Sequence, residues 1–509
     1  VNTSALRTLI IYAAIIPLAI YVGWASADMT RTSFAMLSAI VFILLLPFFL
    51  KWHYQVMLFS WNTYITIFFL PGKPALWMLM ALLNFGIAIL NRIIQKRPAF
   101  ISAPSITISL LAFAAVTLIT AYLRGGIGVR AMGGGAAGGK SYFLIFAAII
   151  GYFALASTPI PPNRARRYIL LFLLGALVTA GSNLIYLAGE PFYFLFAIFP
   201  PDFAAVQAYS EVSGSVSRVA GFGWSATLAL YYLLARYGLQ GVLTSWWRLL
   251  VCVGLIGASA FSGYRSTPVI IGLTLVALFF AERLYRTSLL PKIAAAGVLS
   301  MVLLMAFATS LPFSVQRSLS FLPGIRVDPN VRAESRGSIE WRQQMWRALL
   351  PDLPKYFWLG KGYSLNLTDQ YLAFEAQRRY RVPNYYTALQ AGNYHNGPLS
   401  VYVPLGSLGL LAFVALLWVS IRALYLNSRY GAEELRTINR LLFAAFVGRS
   451  IFFIFGFGAI AVELYIFTGI VGLSVALNRG ICRKPAAPLP APVRLRGGFV
   501  TGGAEPRPA

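Results

Sequence analysis

Long apolar runs, nearly free of charge, recur along almost the whole chain, and nothing else in it restricts folding so tightly. About 20 apolar residues span the ~30 Å hydrocarbon core of a bilayer as a helix. Lipid offers no water to a backbone N–H or C=O, so each run must close its own hydrogen bonds, and aliphatic segments of this length do so as α-helices. Only 11% of the 509 residues are charged and 58% are hydrophobic, against about 25% charged in soluble proteins. The fold class that follows is all-α, a polytopic transmembrane helical bundle.

Fourteen candidate spans fall at 8–27, 33–50, 55–71, 75–95, 104–122, 141–158, 167–187, 219–236, 247–263, 266–283, 292–312, 397–421, 438–455 and 458–477, the third short enough to be re-entrant. With the N-terminus inside, the cytoplasmic segments before the tail hold 17 Lys or Arg, and the short loops opposite hold seven. Positive charge accumulates on the cytoplasmic side. Both termini are therefore expected in the cytoplasm and the long segment 313–396 in the periplasm. Four regions result: an N-terminal transmembrane bundle (1–312), a periplasmic loop with amphipathic helices (313–396), C-terminal transmembrane helices (397–478) and a disordered basic cytoplasmic tail (479–509) rich in Pro, Gly, Ala and Arg. Near the start, Arg7, the apolar run 9–24 and Ala25-Ser26-Ala27 resemble a cleavable signal peptide. A retained first span is the expectation, because further spans follow it.

The net charge of +27 would suggest nucleic acid in a soluble protein. Here it reads as topology-setting loop charge, with the lipid bilayer as partner and no nucleic acid. Cys252 and Cys482 have neither metal-ligand nor disulfide-framework spacing. Gly134–Ser141 satisfies the G-x4-G-K-[ST] spacing of a P-loop. That motif needs a preceding strand inside an α/β sheet, so a flexible connection is expected instead. Arg449 and Glu463 each lie seven residues from Gly456, about 10 Å along a helix. A hairpin there brings them to one depth, where an intramembrane charge needs a partner.

The long loop carries more chemistry. An amphipathic helix is expected over Gly337–Leu350, with Ile339, Trp346, Leu349 and Leu350 in one stripe. Arg342 falls inside that stripe, while Glu340 and Arg347 fall off it. A guanidinium on a buried face needs an anion or a stem that snorkels out. At the loop's end stands Asn393-Tyr394-His395-Asn396-Gly397-Pro398. Asn396 suits an N-cap and Pro398 a first helical turn. The positive helix end keeps His395 neutral and able to accept a proton, and it favours an anionic ligand. Arg265 in the Ser262-Gly263-Tyr264-Arg265 turn, Arg218 ahead of Gly221, and Arg317 at the loop's start complete a set. A single interfacial arginine is ordinarily an anchor, but several converging guanidinium groups suit a diphosphate.

These residues resemble the O-antigen ligase and polymerase superfamily of membrane glycosyltransferases. His395-Asn396-x2-Leu399-x6-Gly406-x2-Gly409 looks like its C-terminal signature. Arg342-x3-Trp346-x-Ala348 followed by Gly360-x-Gly362 looks like the run inside its long periplasmic loop. Arg265 in S-x-x-R and Arg218 in R-x2-G resemble two further elements, so the likeness covers about residues 215–415. Pro398 is unusual, and Pro404 and Leu405 stand where an acidic residue is common. The resemblance implies a metal-independent transferase of the C-type glycosyltransferase architecture, with no cofactor. Such an enzyme moves a glycan from an undecaprenyl-diphosphate carrier to an acceptor hydroxyl, on lipid A core or a growing polysaccharide. It makes His395 the general base, places Arg342 and Arg265 on the diphosphate, and gives Arg218, Arg317, Asn396 and Trp346 substrate contacts. O-antigen or exopolysaccharide polymerisation and protein O-glycosylation remain open within the class. A lipid-glycan transporter and a glycan-binding membrane protein without activity are the rivals outside it.

The expected topology is testable with reporter fusions at Val331 and at the C-terminus. A periplasmic reporter should be active only at Val331 and a cytoplasmic one only at the C-terminus. Cytoplasmic activity at Val331 would place the candidate residues in the wrong compartment.

Overall fold

The computed structural model describes residues 51–68, 70, 72–96, 100–126, 139–200, 220–364, 385–390 and 392–483, with isolated positions elsewhere. The expected spans 8–27 and 33–50, Arg218, most of the glycine-rich segment and the tail beyond 483 lie outside the described residues. A helix at 51–60 is followed by α1 (Leu76–Gln95), α2 (Pro104–Arg124), α3 (Lys140–Leu155) and the composite α4 (Pro162–Ala188). Then come α5 (Ala220–Leu243), α6 (Trp246–Ala260), α7 (Ser266–Ala281) and α8 (Leu290–Phe307). The long loop contributes α9 (Phe313–Leu319) and α10 (Pro329–Leu349), and the chain closes with α11 (Gly397–Tyr430), α12 (Arg436–Phe455) and α13 (Ile460–Asn478). Among the described residues seven helices are long and apolar enough to cross a membrane, and three apolar helices are shorter. The protein is a multi-pass, all-α membrane bundle.

Of the two courses open to the segment 55–71, the chain takes the re-entrant one: it is helical to residue 60, then turns back through the bridge Thr66↔Ala75 into α1. Its backbone is served across the turn, with Ile67 N–H donating to Pro74 O at 2.9 Å and Leu76 N–H to Ile65 O at 2.8 Å. The amphipathic loop helix starts earlier than expected, capped by the Asp328 carboxylate, which accepts from Asn330 N. Its buried residues are Val331, Ser335, Met345 and Leu349, while Ile339 and Leu350 are exposed. Hydrophobicity alone misplaced those two.

The bundle closes around Trp61, which is fully buried. A Cβ added to Gly151 of α3 or Gly469 of α13 would stand 2.4 or 2.2 Å from that indole. Small residues let membrane helices approach closely, and here they admit one large ring between two helices. Its Nε1–H donates to Tyr465 O at 3.2 Å. Elsewhere α7 packs along α12, α5 along α6, and α11 lies between α2 and α12.

Two helices are interrupted, and each interruption has its own partners. In α5 the break at Gly238 (φ +67°) leaves Leu239 and Gln240 N–H to the Glu282 carboxylate, both at 2.8 Å. In α11 Pro404 contributes no N–H and Gly406 is non-helical at φ +70°. The freed carbonyls of Val403 and Pro404 accept instead from Lys361 N and Gly362 N, at 2.9 and 3.0 Å, and Ser407 N donates to Phe357 O at 2.8 Å.

The C-terminal hairpin pairs Arg449 with Glu463, Nη2 to Oε2 at 3.0 Å, both largely buried. Removing either charge strands the other. We expect Arg449→Glu and Glu463→Arg each to lower membrane yield and thermal stability, and the double reversal to recover a substantial part. A double variant no more stable than the singles would show that the ion pair does not hold the hairpin.

Candidate active site

The long loop is pinned to one end of the bundle by polar contacts from its two helices. Arg317 of α9 is buried; its Nε meets Glu334 Oε1 at 3.0 Å and its Nη1 donates to Gly263 O. Ser318 Oγ donates to Ala260 O at 2.7 Å, tying α9 to the end of α6. Arg265, at the start of α7, donates through Nη1 to Ser335 Oγ of α10 at 2.8 Å, and Ser320 Oγ lies 3.0 Å from the same hydroxyl. These bonds set α10 over the α6–α7 turn.

Farther along α10 the loop's C-terminal end arrives. Trp346 Nε1–H donates to Tyr394 O at 2.8 Å, so the indole fixes the residue before His395. Asn396 is the N-cap of α11, its Oδ1 accepting from Leu399 N at 3.0 Å, and Pro398 lies in the first turn, as the sequence indicates. His395 between them has φ +49°. A non-glycine residue with positive φ is uncommon, and such strain concentrates where neighbouring structure enforces a functional geometry.

The imidazole is held by rings. Trp341 stands edge-on at 5.0 Å between centroids, and Phe457, in the turn between α12 and α13, lies at 5.2 Å. Nδ1 is buried with no hydrogen-bond partner among the described residues. Burial, and then the positive charge of Arg342, push the His395 pKa down to about 4. The ring is neutral at ordinary pH and its base form is available.

Arg342 shares this pocket. Its guanidinium carbon lies 5.8 Å from the Phe457 ring centroid, and its Nε is buried without a partner. Burial and the nearby Arg317 lower its pKa. It makes no ion pair among the described residues, whereas Arg317 has one with Glu334. Arg347, five residues on, is exposed, as its position off the stripe indicates.

His395 and Arg342 thus come together around Phe457. Arg317 and Arg265 stand about two turns back along α10, through Glu334 and Ser335. Trp346 and Asn396 hold the backbone that carries His395. Arg218 is outside the described residues, but Gly221 of the same motif is placed: a Cβ there would stand 2.0 Å from Thr179 O, so the glycine admits α4 against α5. The sequence reading missed Trp341 and Phe457. The only hint of Phe457 was an aromatic between two glycines in a short turn, Gly456-Phe457-Gly458.

The Gly360-x-Gly362 element is a seat rather than a ligand loop. A Cβ on Gly360 would fall 2.0 Å from Pro404 C, and Gly362 adopts φ +73° against Tyr142. Arg124 Nε donates to Gly360 O at 3.0 Å, and Tyr142 Oη accepts from Tyr363 N at 2.9 Å. Of the glycine-rich Gly134–Ser141 segment, only its last three residues are described. Lys140 there begins α3 and donates to Gly72 O at 3.0 Å, and among the described residues the element before it is the helix α2, not a strand.

Residues 249–414 match the family model Wzy_C, described as O-antigen ligase. That stretch contains Arg265, Arg317, Arg342, Trp346, His395 and Asn396, together with the seat at Gly360–Gly362 and the α11 break. A comparison with curated proteins finds no match.

The electrostatics can be measured without substrate. The chain has two histidines, so imidazole NMR titration of the purified protein, assigned with His53→Gln, isolates His395. It should titrate near pH 4. Arg342→Gln removes a cation that disfavours imidazolium, so the midpoint should rise towards the ordinary ~6.5. A midpoint of ~6.5 in both proteins would mean a solvated ring and no coupling to Arg342.

Proposed function

We propose, from the match of residues 249–414 to the O-antigen ligase family model, that this chain is a membrane enzyme of that superfamily and transfers a glycan from undecaprenyl diphosphate to an acceptor hydroxyl at the periplasmic face of the inner membrane. The acceptor class is a sugar hydroxyl, on lipid A core or on a growing polysaccharide. The observation that carries the reading is a half-buried, unpaired Arg342 beside a neutral His395. A cation held out of water without a counter-ion is costly. An anionic ligand relieves that cost, and a neutral imidazole at the same place receives a proton.

In the reaction the acceptor oxygen attacks the anomeric carbon of the donor sugar. Its proton passes to His395 as the new C–O bond forms, and the bond from that carbon to the diphosphate oxygen breaks with its electron pair. Undecaprenyl diphosphate leaves, its charge met by Arg342, with Arg265 and Arg218 as further contacts. Guanidinium groups in place before the reaction stabilise the developing charge without reorganising. Arg317 serves chiefly through its ion pair, which orients α10, while Trp346 and Asn396 position His395 from the two sides of its backbone. Transfer to a growing polysaccharide uses the same steps, so the site chemistry is common to ligation and polymerisation.

Glycan transfer from a purified lipid-diphosphate donor tests this, with folding checked for each variant. His395→Ala should abolish transfer, and Arg342→Gln should cost roughly 10²–10³ in rate. Arg342→Lys should not rescue, because an ammonium lacks the bidentate fork. Arg347→Ala should leave both rate and stability almost unchanged, within about 0.5 kcal/mol for the latter. Equal activity of the Arg342 and Arg347 variants would remove Arg342 from the site, and transfer by His395→Ala would remove the base.

A further inference from the structure

A cavity of about 400 Å³ opens among α5, α7, α12, α13 and the turn after the 51–60 helix. That is within the ~300–1,000 Å³ common for small-ligand sites. Trp77, Trp224 and Tyr465 supply ring faces, and the Arg449–Glu463 pair forms part of the wall. Ser266 and Thr267 also line it, and they directly follow Arg265, so the cavity adjoins the candidate diphosphate site.

Its wall holds polar atoms that the fold leaves unused. Trp224 Nε1 and Arg449 Nε are buried donors with no hydrogen-bond partner among the described residues. Glu463, whose side chain is 7% exposed, is held by Arg449, with Oε2 lying 3.0 Å from Nη2. Buried polar atoms are satisfied in about nine cases of ten, so two donors spare on one wall are better explained by a ligand than by packing. An acyl or isoprenoid chain would leave both unsatisfied. A ligand bearing hydroxyl groups can accept from the indole and the guanidinium and donate to the carboxylate. Its apolar ring faces would lie on the aromatic walls.

We infer that this cavity is a saccharide subsite, holding a sugar of the transferred glycan or of its acceptor while the reacting carbon sits at His395. The Arg449–Glu463 pair then has two tasks, closing the hairpin and presenting a donor and an acceptor to sugar hydroxyls. The inference rests on the glycan-transfer reading above and adds to it where the sugar lies.

The test uses the full chain in detergent, with the saccharide released by mild acid from the host's lipid-linked glycan as probe and saturation-transfer NMR as readout. Trp224→Phe keeps the ring and removes the N–H; Glu463→Gln keeps the volume and removes the charge. Each should weaken saccharide binding by about tenfold, the scale of one or two lost hydrogen bonds; Trp224→Phe should leave the Tm unchanged, whereas Glu463→Gln, which strands the Arg449 charge, should also lower it. His395→Ala should bind as the wild type does. In the transfer assay a raised KM for the lipid-diphosphate donor assigns the subsite to the donor glycan. A raised KM for lipid A core oligosaccharide, with probe binding still weakened, assigns it to a sugar common to both. No saccharide binding by the wild type, or binding unchanged in Trp224→Phe, overturns the inference and leaves a water-filled cavity. Should Glu463→Gln fail to fold, Trp224→Phe decides alone. Failure of the transfer reading looks different: His395→Ala would then still transfer glycan, whatever the saccharide binding.

Discussion

The break in α11 governs the rest of the site, because it obliges a helix and a distant loop to fold as one unit. Pro404 has no N–H to offer, and Gly406 leaves the helical region, so the ladder fails a few residues below the helix start. In a membrane an unsatisfied backbone group costs several kcal/mol. Lys361 and Gly362 supply the missing donors, and Phe357 supplies an acceptor to Ser407. Only glycine fits at 360, since a side chain there would occupy the position of the Pro404 backbone. Once seated, the loop is fixed against α2 and α3 through Arg124 and Tyr142. The start of α11, and with it His395, gains a rigid base.

A second level of organisation is the unequal treatment of three arginines associated with α10. Arg317 is buried and neutralised by Glu334, and Arg265 is hydrogen-bonded to Ser335. Both tie the loop to the α6–α7 turn. Arg342 is drawn towards Phe457 and keeps an unpartnered Nε. The fold therefore settles one cation with a carboxylate and, among the described residues, leaves another without one. Burial, and after it the same positive charge, keeps His395 neutral. Phe457 takes part in both effects, since one ring touches the imidazole and faces the guanidinium. Through it the C-terminal hairpin, outside the 249–414 family match, reaches the site.

Much of this was legible in the residues, for identifiable reasons. Chain in lipid must satisfy its backbone locally, so apolar runs became helices close to where the pattern put them. Equal spacing from Gly456 put Arg449 and Glu463 at one depth, because helical rise converts sequence distance into length. Asn396 caps α11, and Arg342 and Arg347 part company around α10, because both outcomes depend on local geometry alone.

Other features depend on which elements meet, and no local rule supplies that. The segment 55–71 is as apolar as a span, yet Thr66 pairs with Ala75 and the chain turns back. Ile339 and Leu350 read as core but face outward, because the neighbours of α10 are the α6–α7 turn and the chain before His395, not a second apolar helix. The sequence assigned Gly360 and Gly362 no task, and only the fold sets the Pro404 backbone against Gly360. Trp224 lies far in sequence from Arg449 and Glu463, and only packing sets the three around one cavity. By itself the sequence determined the helices, their caps and the charges they carry, since these follow from backbone hydrogen bonding and helical period. The tertiary structure alone decided which charges were cancelled and which kept no partner among the described residues, because that depends on contacts between residues remote along the chain.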